Sequence, residues 1–253
     1  MRYFHVPKDQ ITGTSVRISG RELHHLVNVL RLREGDEITV LDGSGGVYEV
    51  LLTSCNRDAA TGEIRDRWQA RPPSVEIAVF VGLPKADKMD MIVQKATELG
   101  VSGIVPVVCR HSVLQLSAER TQQRVARWRQ IAVEASKQSH RPFFPFVSDI
   151  LSFEEAMENY QADLRLIFVA RATRSIRGLK DVLKQNADAR KVNIFIGPEG
   201  GLAEDEIHLA LSAGAVPVSL GANVLRTETA AIAALAVVLY EYAGVSISVS
   251  TDF

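Results

Sequence analysis

Toward the N-terminus, apolar positions fall into short runs, Ser15–Ile18, Glu37–Leu41 and Val47–Leu52. The clusters Arg33–Asp36 and Asp42–Gly46 separate them. Short strands at close spacing with glycine turns predict a small barrel or sandwich. Arg21–Leu30 has another period: Leu23, Leu26, Val27 and Leu30 recur at intervals of three and four, which predicts a helix. Near Arg71-Pro-Pro-Ser74 the texture changes. Beyond it come near-continuous apolar runs, Ile77–Leu83, Ile104–Val108, Leu166–Ala170, Val192–Ile196 and Val216–Leu220. Runs of this kind suit strands buried on both faces, as in a parallel sheet. Helical patterns lie between them. Asp87–Leu99 carries one apolar stripe and has Gly100 placed to cap it. Ala203–Ser212 opens on three acids, and Glu228–Tyr242 is rich in Ala and Leu. Alternating strands and helices predict an α/β fold. The expected division is residues 1–72 and 73–253.

Composition changes little in this picture. The 253 residues carry 29 Lys and Arg against 30 Asp and Glu, and 46% are apolar, which excludes a disordered chain. No apolar run approaches the roughly 20 residues that span a bilayer. Met1–Gln10 has no apolar core of a secretory signal. Cys55 and Cys109 form no disulfide framework or metal-type spacing, and they read as small core residues. The expected setting is the reducing cytoplasm.

Three places could carry chemistry. The first is Ile194-Phe-Ile-Gly-Pro-Glu-Gly-Gly201, a buried strand running into a glycine-rich loop. It is either a ligand loop or a tight structural turn. It lacks the Lys-Ser/Thr of a phosphate-binding loop and the spacing of a dinucleotide fingerprint, and the acids after it would repel phosphate. The second is Ser219–Ala230, where another strand leads through a loop into a helix that Thr227 could cap. Arg226 at that junction is either paired with Glu228 or Glu199, or aimed at a substrate that becomes anionic. The third is a charge asymmetry. Between Arg110 and Arg141 there are seven Lys and Arg against two acids, a local excess of +5. It is either a solvated helix face or a nucleic-acid contact. Arg21, His24, His25, Arg31 and Arg33 form a smaller cluster. No histidine has metal-ligand spacing, and no nucleophile elbow is present.

Several blocks, in this order and spacing, resemble a known family: Glu22–Arg31 with Glu34-Gly-Asp36; Lys85 with Lys88–Val101; Arg127-Trp128 with Ala135 and Gln138–Pro142; Gly197–Gly201; and Leu220-Gly221 with Val224–Thr229. Along nearly its whole length the chain is similar to the RsmE family of bacterial 16S rRNA uridine-N3 methyltransferases, within the SPOUT, or knotted, class. The resemblance implies an N-terminal PUA-like β-barrel that helps hold RNA and a C-terminal SPOUT α/β domain ending in a deep trefoil knot. It implies S-adenosylmethionine cradled by Gly197, Glu199, Gly200 and Gly201 and by Leu220, Gly221, Val224, Leu225 and Arg226. It implies a homodimer, no metal, and one uridine of 16S rRNA in the assembled small subunit as substrate. Both glycine loops come late in the chain, whereas an ordinary Rossmann-type methyltransferase carries its loop after the first strand. Arg171-Ala-Thr-Arg174 departs from the usual family wording.

Uridine N3 carries a proton, so its methylation needs a base or a cation that stabilises the uridinate. Arg226 is the expected cation, and Glu199 or Glu228 either accepts the proton or orients Arg226. Arg21, His25, Arg31, Arg33, Arg110 and Arg141 are the expected RNA contacts. Two other readings stand beside this one: a methyltransferase of the same class acting on transfer RNA or another rRNA site, and an RNA-binding module without catalysis. The Leu23–Arg31 block argues against the first, and the two intact loops argue against the second.

Overall fold

A computed structural model of the protein describes residues 2–85, 88–112, 118–169 and 176–243. Two compact units form. One is Met1–Pro72 with Val133–Phe144, and the other is Pro73–Ala132 with Pro145–Phe253.

The first unit contains β1 (Tyr3–His5), β2 (Ile11–Thr12), β3 (Ser15–Ile18), α1 (Gly20–His24), β4 (Glu37–Leu41), β5 (Gly46–Cys55) and β6 (Ala60–Gln69). They make one six-stranded sheet in the order β1-β4-β5-β6-β3-β2, antiparallel except for β1 against β4. Register shifts between Glu49 and Val50 and between Leu52 and Ser54 bend the long β5–β6 ribbon. Alternation along β3 puts Val16 and Ile18 inside, where they meet Phe4, Val40, Val50 and Leu26. The helix expected over Arg21–Leu30 is in fact two pieces. α1 stops at His24 and a π-helical turn, His25–Val29, follows, with the Leu30 N–H bonded to the His25 carbonyl at 3.0 Å. The wider turn still sends Leu26 into the core. The left-handed Arg31 (φ 55°) then closes the segment.

Val133–Phe144 packs with this unit rather than with its neighbours in sequence, so the division is not a single cut near residue 72. Lys137 Nζ lies 2.6 Å from Glu22 Oε1, and the Tyr3 ring stacks on His140 at 4.0 Å. The Gly45 N–H donates to the Pro142 carbonyl, and the Phe144 N–H to that of Gly43.

The second unit runs β7 (Glu76–Gly82), α2 (Lys88–Leu99), β8 (Gly103–Val108), α3 (Ala118–Gln138, which crosses the division at residue 132), β9 (Phe146–Val147), β10 (Leu151–Ser152), α4 (Phe153–Asn159), β11 (Leu164–Phe168), β12 (Arg177–Gly178), α5 (Leu179–Gln185), β13 (Lys191–Ile196), α6 (Glu204–Ser212), β14 (Val216–Ser219) and α7 (Thr227–Ala243). The sheet is parallel throughout, ordered β10-β8-β7-β13-β11-β14-β12, with β9 also on β8. Its strands are apolar on both faces because helices cover both. Val192, Ile194 and Ile196 of β13 enter one core with α2, α3, α5 and α7. Phe195 enters the other, with Phe153 of α4 and Ala210 of α6. The expected strands and helices of this half fall within a few residues of the observed ones. Gly100 (φ 117°) ends α2, and the Val101 N–H returns to the Ala96 carbonyl at 3.0 Å, the bond of a Schellman cap.

Candidate active site

β13, β11 and β14 are neighbours and parallel, so their carboxyl ends open on one side of the sheet. Ligands of open α/β sheets sit at such ends. A cavity of about 790 Å³ lies there. Phe168 and Val169 line it at the end of β11, as do the Gly197–Leu202 loop after β13 and Leu220, Asn223, Val224 and Leu225 after β14. Glu204, His208 and Leu211 of α6 form a further wall. Among the described residues, the lining holds two carboxylates and one histidine but no Lys or Arg. It suits a ligand that is partly apolar, carries positive charge and lacks phosphate.

Of the residues expected at the cofactor, Gly197, Glu199, Gly200, Gly201, Leu220, Val224 and Leu225 line the cavity. Gly221, Arg226 and Glu228 lie outside the lining. The first loop demands its glycines. A Cβ on Gly200 would stand 2.9 Å from the Cβ of His111, and Gly201 is left-handed at φ 74°. The Thr227 hydroxyl donates to the Gly197 carbonyl at 3.2 Å and so ties the two loops together. Thr227 is therefore not the cap of α7. The Ala230 N–H bonds the Arg226 carbonyl at 2.8 Å, which puts the cap position one residue earlier.

Of the two alternatives for Arg226, the pairing with Glu199 or Glu228 is not found among the described residues. Arg226 is exposed and, among the described residues, forms no ion pair. Lys88 takes that place, with Nζ 2.9 Å from Glu199 Oε1 and 3.4 Å from Glu228 Oε2. Glu199 Oε1 also accepts the Lys85 N–H at 3.2 Å. Burial works to raise the Glu199 carboxyl, but the Lys88 hydrogen bond and backbone N–H groups outweigh it and hold the carboxyl below its ordinary value. Glu199 is thus a weak proton acceptor. Lys88 was legible only as a cation opening a helix just after a strand, and that position alone names no partner.

On the other side of the first loop, His111 Nδ1 lies 3.2 Å from the Gly201 carbonyl. The buried Glu206 carboxylate accepts the Arg110 N–H at 2.8 Å and the Ala203 N–H at 2.7 Å. The Arg110 guanidinium pairs with Asp205. Arg127 pairs with Asp90, Arg129 with Asp149 and Lys137 with Glu22, so acids remote in sequence offset much of the +5 run. Arg141 is half-buried, and burial lowers its guanidinium to about 10, still a cation at neutral pH. In the first unit Arg21, Arg31 and Arg33 are exposed and His25 is half-buried. Arg171–Arg174 lies outside the described residues. Cys109 is packed in a core and Cys55 borders another, and burial raises both thiols. Among the described residues, no three His, Cys, Asp or Glu are grouped to hold a metal, and no helix is long and apolar enough to cross a membrane.

Residues 71–239 match the family model for an RNA methyltransferase domain, and residues 18–65 match that for an RNA methyltransferase PUA domain. The ribosomal RNA small subunit methyltransferase E of Bacillus subtilis (strain 168) is 34% identical over 248 residues, which are 95% of this chain and 96% of that protein. The chain belongs to this family. The ribosomal RNA small subunit methyltransferase E of Neisseria gonorrhoeae, solved bound to S-adenosylmethionine, superposes with a TM-score of 0.84 at 32% identity, covering 94% of this chain and 97% of that one. A Legionella pneumophila methyltransferase, solved with the same cofactor, gives 0.84 at 26% identity, covering 94% and 96%. Membership makes this chain an RNA methyltransferase with an N-terminal PUA-like domain, as the sequence blocks implied. The methyltransferase match includes both cavity loops, and the PUA match lies within the first unit.

Proposed function

We propose that this chain uses S-adenosylmethionine to methylate N3 of one uridine in 16S rRNA of the assembled small ribosomal subunit. It works in the cytoplasm as a homodimer whose C-terminal domain is a trefoil knot. The observation that carries the cofactor assignment is the cavity lining: backbone-rich loops, apolar walls, Glu199 and Glu204, and, among the described residues, no Lys or Arg. When bound, S-adenosylmethionine supplies a methyl group already activated by a sulfonium. The backbone groups of Gly197–Gly201 and Leu220–Leu225 hold adenine and ribose, and the two carboxylates favour the cationic end. Gly221 sets the turn of the second loop, where the Ser219 hydroxyl bonds both its N–H and its carbonyl.

Arg226, beside the cavity and without an ion pair among the described residues, donates to a uracil oxygen as N3 loses its proton. Glu199 or Glu228 accepts the proton, and Glu199 is weakened in that role because the Lys88 hydrogen bond and backbone N–H groups hold its carboxyl below its ordinary value. Arg21, His25, Arg31, Arg33 and Arg141 carry RNA on the first unit, and Arg110 contributes beside the site. Two further features support the reading. β13, late in the chain, is inserted between β7 and β11, an order compatible with a threaded chain. Exposed Met91 of α2 and Val237 and Tyr240 of α7 offer an apolar surface for a second copy.

Calorimetry should detect S-adenosylmethionine binding, and rRNA from a deletion strain should lack one N3-methyluridine of 16S rRNA. An unchanged modification map would overturn the substrate assignment. Reversing the charges of Arg31 and Arg33 should weaken RNA binding, make it less salt-dependent and spare cofactor binding.

A further inference from the structure

Lys88 joins three parts of the second unit that are far apart in sequence. It is the first residue of α2, its bond to Glu199 reaches the cofactor loop after β13, and its contact with Glu228 reaches the first turn of α7. Its ammonium group is the only cation that pairs with either carboxylate among the described residues. Glu228 Oε2 is buried and has no hydrogen bond of good geometry, so its contact with Lys88 is its compensation. The Lys85 N–H adds a second hold on Glu199 from the same connection.

We propose that Lys88 is a positioning residue of the methyl-transfer site, clamping Glu199 of the first cavity loop to Glu228 at the start of α7. The inference rests on the cofactor reading above and extends it to a residue outside the cavity lining. Without the ammonium, two carboxylates face each other across the junction of the loops. Repulsion between like charges in a partly desolvated place drives the mobile partner away. That partner is Glu199, on a loop, because Glu228 is fixed in a helix. The Gly197–Gly201 backbone moves with it, and the cavity loses the wall expected to hold the cofactor. Lys88 touches no reacting atom in this scheme, so its loss weakens cofactor capture more than turnover.

The test compares Lys88→Met, Lys88→Arg and Glu199→Gln in the full-length protein, with S-adenosylmethionine as the probe. A charge-assisted hydrogen bond of this kind corresponds to about tenfold or more in affinity. Lys88→Met should raise the Kd and the KM for the cofactor by about that factor, with kcat at saturation changed by less than about threefold. Lys88→Arg should recover most of the loss. Glu199→Gln reduces that bond to an uncharged acceptor without leaving a like-charge pair, so it should raise the Kd by a smaller factor. Adding Lys88→Met to Glu199→Gln should then change the Kd little further. Thermal unfolding checks that each variant is folded, and if Lys88→Met is not, the Glu199→Gln result decides. Wild-type affinity in a folded Lys88→Met or in Glu199→Gln, or a fall in kcat with KM unchanged, would overturn the proposal. Absence of cofactor binding in the unaltered protein would overturn the functional reading beneath it instead.

Discussion

Gly200 and Gly201 are the residues at which the cavity has least freedom. Any side chain on Gly200 begins 2.9 Å from the Cβ of His111, and a β-branched residue at Gly201 would have to hold φ near 74°. Gly200→Val should therefore abolish measurable S-adenosylmethionine binding while the sheet stays folded. Calorimetry beside circular dichroism checks both, and unchanged affinity in a folded variant would remove this loop from the site. Arg226 makes a different prediction. An arginine bracing Glu199 or Glu228 would affect stability and cofactor binding, but Lys88 holds those carboxylates and Arg226 is exposed. Arg226→Ala should then lower kcat by about 10²–10³, the usual loss for one preorganised donor, with little change in cofactor Kd. If uridine N3 is the methyl acceptor, as proposed, raising the pH should partly rescue it, because more uridine then ionises unaided. A wild-type rate and pH profile would end its catalytic role.

Among the elements, β11 and β13 are joined at their starts by one side chain. Asp163, just before β11, accepts the Arg190 N–H at 2.7 Å and the Lys191 N–H at 2.8 Å. Those two bonds, from Arg190 first and then Lys191, hold its carboxyl below the ordinary value. A carboxyl depressed in the folded state contributes stability above its unfolded pKa and loses it as pH falls through the folded value. Asp163→Ala should unfold at a lower temperature than wild type at neutral pH, and the gap should narrow toward about pH 2. A gap that does not change with pH would mean the bonds are not the cause. Several elements carry a signature in the sequence. Ser152 and Glu155 form a reciprocal capping box at the start of α4, in the Ser-x-x-Glu spacing that marks a helix start. Val125, Trp128, Ala132 and Ala135 make the buried stripe of α3 at intervals of three and four. β6 was not legible, because Glu63–Gln69 has Ile64 and Trp68 as its only apolar residues and is held as a strand by its pairing, mainly with β5.

For the molecule as a whole, the consequential feature is the segment Val133–Phe144, which belongs with Met1–Pro72. Lys137 is 6% exposed, and its charge is met by Glu22 at 2.6 Å and Glu134 at 2.9 Å. Removing one member of a buried pair leaves an uncompensated charge and costs roughly 3–5 kcal/mol. Lys137→Met should lose stability on that scale in denaturant titration, and Lys137→Met with Glu22→Leu should lose less than Lys137→Met alone. A chain beginning at Ser74 would keep residues 133–144 without their packing partners. It should unfold at lower temperature and bind S-adenosylmethionine more weakly than the full-length protein. Equal stability of the two chains would show that the segment needs no partner.

What the sequence determined by itself was local. Side-chain period marked the strands buried on two faces, the apolar stripe of α2 and the change of texture after Arg71. Glycines and small polar residues marked the two loops, because the demand for a left-handed or crowded backbone is met by the residue at that position. Long-range pairing was decided only by the tertiary structure. Lys88 meets Glu199 across 111 residues, Lys137 meets Glu22 across 115 and Arg110 meets Asp205 across 95. A Coulomb interaction depends on distance in space, and no pattern along the chain encodes it. For that reason the run from Arg110 to Arg141 read as a basic face, although the fold supplies it with acids from elsewhere. The carboxylates named as partners for Arg226 pair with a lysine for the same reason.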